Sequence, residues 1–159
     1  MADMPQDLAL LLRQKIEDEY PLLAAVSDSV AVSKPGPKWS RKEELGHLID
    51  SAANNHLRFV RAALEPQYTG PGYDQDACVR LHGYQDLPWQ DILELWRRYN
   101  LLLAELIARI PAEKLATPCS VAGNAPVTLK FLIEDYVLHL RHHVDHILRR
   151  EIVTQYPAA

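Results

Sequence analysis

Four of the seven histidines in this 159-residue chain fall within eight residues: His139, His142, His143 and His146. On a helix they form two i, i+4 pairs, His139/His143 and His142/His146. Each pair stacks two imidazoles on one face, close enough to grip a single ion. Neutral imidazole is a good ligand for zinc, nickel, copper and iron. Helical phase separates the two pairs. With His139 at zero and 100° per residue, Leu129, Leu132, Ile133, Tyr136, Leu140, Val144 and Ile147 span about 20° to 140°. His139 and His143 fall at about 0° and 40°, on the inward edge of that apolar stripe, whereas His142 and His146 fall at about −60° and −20°. The first pair points into the protein. Asp135, one turn before His139, is placed to orient a ligand imidazole.

Another account fits the same residues. A helix ending in histidines and in Arg141, Arg149 and Arg150 also complements the negative end of the helix dipole. Two histidines do not close a metal site, so a third ligand must come from another element. The segment from Ser40 to Leu64 offers His47 and His56. His56 lies in its apolar stripe with Leu45, Leu48, Ile49, Ala52, Phe59 and Ala63, and reads as a core histidine with a hydrogen-bond partner. His47 shares a polar stripe with Asp50, Asn54, Arg58 and Arg61. That stripe either faces water or lines a wet cleft opposite the later histidines, and periodicity does not choose between the two.

Four long segments carry helical periodicity. The first runs from about Gln6 to Val30, with Pro21 as a kink or restart. The second opens at a capping box, Ser40-Arg-Lys-Glu43, directly after the breaker Pro35-Gly-Pro37. The third starts at Pro88 and ends before Pro111. The fourth runs from Thr128 to about Glu151. Helices of about 20 to 25 residues are roughly 30 to 37 Å long and pack naturally as a four-helix bundle, giving an all-α single domain over residues 1–159. Two connections are long, Pro66 to Leu87 and Ala116 to Val127. A short helix is expected at Asp74 to Tyr84 and one extra turn at 111–116, with no segment reading as a strand.

Composition narrows the function. The chain is 48% hydrophobic and 24% charged, the balance of a globular protein, and its net charge of −4 argues against a broad nucleic-acid-binding face. No apolar run approaches the roughly 20 residues that span a bilayer. The opening Met1-Ala-Asp-Met-Pro5 lacks the pattern of a secretory leader, so a cytoplasmic location is expected. Cys78 and Cys119 are not spaced as a redox pair and read as reduced thiols. Phosphate-binding glycine loops and the serine-hydrolase elbow are both absent from the sequence.

Taken in order, the motifs resemble the DinB/YfiT-like superfamily of metal-dependent enzymes. Trp39-Ser-Arg-Lys-Glu-Glu-Leu-Gly-His47-Leu-Ile-Asp50-Ser looks like its second-helix motif with a single ligand histidine. Tyr73-Asp-Gln-Asp-Ala77, then Gly83-Tyr84 and Leu87-Pro-Trp89, looks like the connection of its DinB-like members. Val127-Thr-Leu129 leading to His139-Leu-Arg-His-His143-Val-Asp-His-Ile147 looks like its last helix. One departure is Cys78, where many relatives carry a large aromatic.

The resemblance implies a four-helix bundle with long crossover connections, frequent homodimers, and a divalent metal, zinc or nickel first, on His47, His139 and His143. It also implies a small-molecule substrate, with low-molecular-weight thiols as co-substrates among characterised relatives. The expected function is a metal-dependent thiol S-transferase or hydrolase. The alternative is a non-catalytic, stress-related module that binds a metal or ligand. Asp50, Asn54 and Asp135 are the candidates to orient ligands or touch substrate, with Tyr73, Asp74 and Gln75 as a rim. His142 is expected to be dispensable.

Overall fold

The computed structural model describes residues 3–155. Its long helices are α1 (Pro5–Ala24), α3 (Arg41–Leu64), α5 (Trp89–Ala108) and α6 (Leu129–Ile147), with the shorter α2 (Asp28–Val32) and α4 (Gln75–His82) between them. The four long helices form a ring in which α1 packs on α5, α5 on α3, α3 on α6 and α6 back on α1. Their apolar stripes meet in one core that includes Trp96, Phe59, Leu12, Leu45, Leu103 and Ile133. A buried polar pair crosses this core, the Tyr136 hydroxyl of α6 donating to the Asn100 side chain of α5. Among the described residues no helix is long and apolar enough to cross a membrane.

Local signals set the ends of the elements. Ser40 Oγ accepts from the Glu43 amide at 3.1 Å and Glu43 accepts from the Ser40 amide at 3.1 Å, so the expected capping box starts α3. Thr128 Oγ1 caps α6 through the Phe131 amide at 3.1 Å. Asp74 caps α4, which stops at Gly83 in the left-handed conformation (φ 64°). The first helix is shorter than its periodicity suggested. It passes through Pro21, ends at Ala24, and the chain restarts as α2 from the Ser27 cap. The last helix likewise stops at Ile147 rather than Glu151. Arg150 then ties its end to α1, bonding Asp145 at 2.6 Å and Glu19 at 2.6 Å. The extra turn at 111–116 is a 3₁₀ turn, Ala112–Ala116.

The expectation of no strand is wrong. Three short strands, β1 (Tyr68–Gly70), β2 (Pro118–Val121) and β3 (Val127–Thr128), form a sheet in the order β1-β2-β3. The β1–β2 pair is parallel, with Tyr68 opposite Cys119, and the β2–β3 pair is antiparallel. Strands of three, four and two residues are too short to show alternation in the sequence. Their role is nonetheless specific. β1 belongs to the connection before α5 and β2 to the one before α6, so the two long connections are stitched to each other.

α4 and the 3₁₀ turn Tyr84–Asp86 lie against α3. The contact is made possible by Gly46, since a Cβ there would stand 2.1 Å from Tyr84 Cδ2. Alanine gains about 1 kcal/mol over glycine in a helix interior, but the overpacking costs about 1–3 kcal/mol. Gly46→Ala is therefore expected to lower the urea midpoint despite its better helix propensity.

Candidate metal centre

α3 and α6 pack side by side and bring their histidines face to face. His47 is 1% exposed. Its Nε2 lies 3.2 Å from Nε2 of His139. The ring centroids are 5.0 Å apart for His47 and His139, 4.8 Å for His47 and His143, and 4.5 Å for His139 and His143. One ligand atom from each of the three residues falls within 4.8 Å of the others. The Trp39 ring, just before the α3 cap, covers His47 with centroids 4.8 Å apart. Of the polar stripe on α3, His47 and Asp50 are buried, Asn54 and Arg58 half-buried and Arg61 exposed. The stripe thus enters the bundle at one end and leaves it at the other.

Burial dominates the electrostatics. It pulls His47 down to about 4, helped by the neighbouring His143. It pulls His139 down to about 3, with His143, His47 and His142 adding to the effect. Both imidazoles are therefore neutral at physiological pH, the state in which a ring nitrogen offers its lone pair to a metal.

His143 is oriented by a residue that the sequence reading missed. Glu44, buried one turn before His47, accepts from His143 Nδ1 at 2.9 Å and from His146 Nδ1 at 2.8 Å. Burial pushes the Glu44 carboxyl up, but these two hydrogen bonds prevail and hold it below its ordinary range. A carboxylate on Nδ1 leaves Nε2 of His143 as the free ligand atom. The available signal was spacing, because Glu44 and His47 at i, i+3 share a helix face.

The other candidates are distributed more widely. Asp50 is buried, and its Oδ1 accepts from the Tyr84 hydroxyl at 2.7 Å and faces His82 Nδ1 at 3.0 Å. Burial raises its carboxyl, against the Tyr84 hydrogen bond and the His82 charge. Asn54 donates to the Asp50 carbonyl of its own helix at 2.9 Å. Asp135 does not hydrogen-bond His139; burial raises its carboxyl, and it lines a cavity next to that histidine. His56 has its partner, the Tyr99 hydroxyl at 2.9 Å. Of the expected rim, Tyr73 lines the cavity beside His139, Asp74 caps α4, and Gln75 lines a second cavity beside His143. That second cavity, of about 350 Å³, also has Trp39, Glu44 and His142 in its wall.

The donor set suits a divalent ion. Two nitrogens on one zinc-sized ion, each at about 2.0–2.1 Å, stand at most about 4.2 Å apart. The His47–His139 pair at 3.2 Å meets that limit. The full trio, within 4.8 Å, reaches it by a small side-chain rotation. Nδ1 of His47 is buried without a hydrogen-bond partner among the described residues. On that side the ring is held by packing alone, while its Nε2 faces His139.

The sequence matches the DinB superfamily over residues 11–147. The fold is similar to that of YfiT from Bacillus subtilis, described as "a probable metal-dependent hydrolase with an unusual four-helix bundle topology", with TM-score 0.80 and 19% identity, covering 91% of this chain and 84% of that one. No curated protein matches the sequence.

The depressed histidines predict how the metal-free protein responds to acid. Their folded pKa values lie below the ordinary value near 6.5, so the unfolded chain takes up protons first as pH falls. This contribution to stability is complete above about pH 6.5 and is lost progressively towards pH 4. Urea midpoints at pH 8, 6 and 5 should fall in that order, and His139→Ala should flatten the trend.

Proposed function

We propose, for a chain that belongs to the DinB superfamily, that it is a metal-dependent enzyme acting on a small molecule, of hydrolase or thiol S-transferase type. His47, His139 and His143 are its metal ligands. The observation that carries the reading is the convergence of three imidazoles from two helices, with the nitrogens of buried His47 and half-buried His139 3.2 Å apart. A divalent ion on three neutral imidazoles supplies a Lewis-acid centre with open positions, able to bring the pKa of water to about 7 or to hold a thiol as thiolate.

The protein's own groups do the rest. Glu44 fixes the tautomer and direction of His143 through Nδ1. Trp39 and the surrounding apolar packing keep bulk water from the back of His47. Asp50, its carboxyl raised and its Oδ2 buried without a partner among the described residues, is the group best placed on α3 to hold a proton. Zinc and nickel are the favoured ions because both accept an all-imidazole ligand set. The free thiols of Cys78 and Cys119 fit a reducing, cytoplasmic setting.

Metal analysis on single variants tests this. His47→Ala, His139→Ala and His143→Ala should each lose most of the bound ion, whereas His56→Ala and His142→Ala should retain it. Glu44→Gln should keep the site but weaken affinity by about 10–100-fold, the usual effect of losing a carboxylate behind a ligand histidine. Full occupancy in His139→Ala would remove the proposal.

The proposed enzyme is a homodimer. Leu10 and Leu22 of α1 and Leu95 and Leu102 of α5 are each half-exposed on neighbouring helices, an apolar surface suited to a second copy. Light scattering at micromolar concentration should give twice the chain mass of 18.1 kDa.

A further inference from the structure

We propose that the cavity beside His139 is a subsite for the carboxylate of a small, elongated substrate, and that Arg58 binds that carboxylate. The inference rests on the metal-site reading above and adds the chemical class of the molecule that reaches it. The cavity measures about 260 Å³ and runs from His139 of α6 to Arg58 of α3, with Ser51, Asn55, Tyr73 and Asp135 in its wall. That is below the roughly 300–1,000 Å³ of a pocket for drug-sized ligands, so its occupant is small.

Arg58 is the one guanidinium in this wall. Arg13, Arg97, Arg98, Arg109 and Arg150 each pair with a carboxylate of the chain, while Arg41 bonds the backbone carbonyls of Ile147 and Val30. Half-buried Arg58 instead makes two long contacts, 3.5 Å to Asn55 Oδ1 and 3.4 Å to the Pro71 carbonyl, and neither acceptor is charged. A guanidinium stays ionised, and its planar fork matches a carboxylate. Asn55 beside it is buried and anchored to the Ser51 carbonyl at 2.9 Å, which gives the pocket a fixed floor.

Distance sets the length of the ligand. Eleven residues separate His47 from Arg58, about 16.5 Å of helix rise, and a helical side chain leans towards the N-terminus. With the reach of an arginine subtracted, the span from the histidines to the guanidinium is on the order of 10 Å. A chain of about six carbons with a metal-binding group at one end and a carboxylate at the other covers it. Asp135 puts a negative charge in the same wall, so the cavity admits one carboxylate at its Arg58 end and disfavours a second.

The test uses cobalt-loaded protein titrated with 6-mercaptohexanoate and with 6-mercaptohexan-1-ol, read by thiolate-to-cobalt absorption. The carboxylate thiol should bind at least about ten-fold more tightly than the alcohol. Arg58→Gln should bring the two within about two-fold while leaving the alcohol and the cobalt content unchanged. Asp135→Asn should tighten the carboxylate thiol, and loosening there would count against the assignment. Equal affinities in the unmodified protein, or a preference that survives Arg58→Gln, overturn the subsite and leave the metal centre standing. Failure of the protein to take up cobalt overturns the metal reading, and the subsite falls with it; cobalt-loaded protein that gives no thiolate band with either probe overturns the subsite alone.

Discussion

The structure depends on a contact that is unfavourable by the ordinary rules of core packing. Three imidazoles meet at the interface of α3 and α6, and buried His47 and half-buried His139 approach to 3.2 Å. Burial forbids charge on either ring, so two of the three histidines are held neutral well below their usual titration range. A neutral imidazole in such a place still needs hydrogen-bond partners, and His47 Nδ1 lacks one among the described residues. An apolar pair at these positions would pack with less penalty. What the arrangement provides instead is a set of lone pairs directed at one point.

Much of the remaining architecture keeps that point fixed. The capping box at Ser40 sets the register of α3, and so the height of Glu44 and His47 against α6. The Thr128 cap does the same for α6, while Arg150 clamps the end of α6 to α1. The long connections are joined by the β1–β2 pairing, which holds Tyr73 and α4 next to α3. From there Tyr84 packs on Gly46 and reaches Asp50. Loops of this length, left free, would carry a large ordering entropy; the short sheet and α4 supply the backbone hydrogen bonds that order them.

What was legible in the sequence follows from what periodicity measures. It locates residues on faces, so the long helices and the inward pair His139/His143 could be read directly, whereas His56, read as a core residue, is only half-buried, with the Tyr99 hydroxyl as its partner. It does not report which faces meet, and His47 stayed undecided between water and cleft until the family resemblance was added. Glu44 was missed because it had a local explanation, an acidic residue in the first turn of a helix, that hid its partners on α6. Asp135 was favoured for the same reason in reverse. Its spacing from His139 was right, but it faces a cavity and not the ring. The strands were invisible because their pairing is set by partners about 50 residues apart, such as Tyr68 and Cys119, over runs too short to alternate.

The three histidines are also unequal, and the inequality has chemical content. His143 has a carboxylate behind it, and a hydrogen bond of this kind raises the basicity of the opposite nitrogen. His47 has only the Trp39 ring and apolar packing, so its donor strength is that of an unassisted imidazole. Glu44 is shared with His146, which divides the carboxylate between a ring that faces the trio and one that does not. An ion held this way carries its charge almost undiminished, because no anionic residue belongs to the ligand trio. The carboxylates stand one residue further out, Glu44 behind His143, Asp50 bonded by Tyr84 and Asp135 in the wall of the cavity beside His139. Negative charge is thus near enough to hold protons and orient groups, yet does not neutralise the centre that would draw an anionic substrate in.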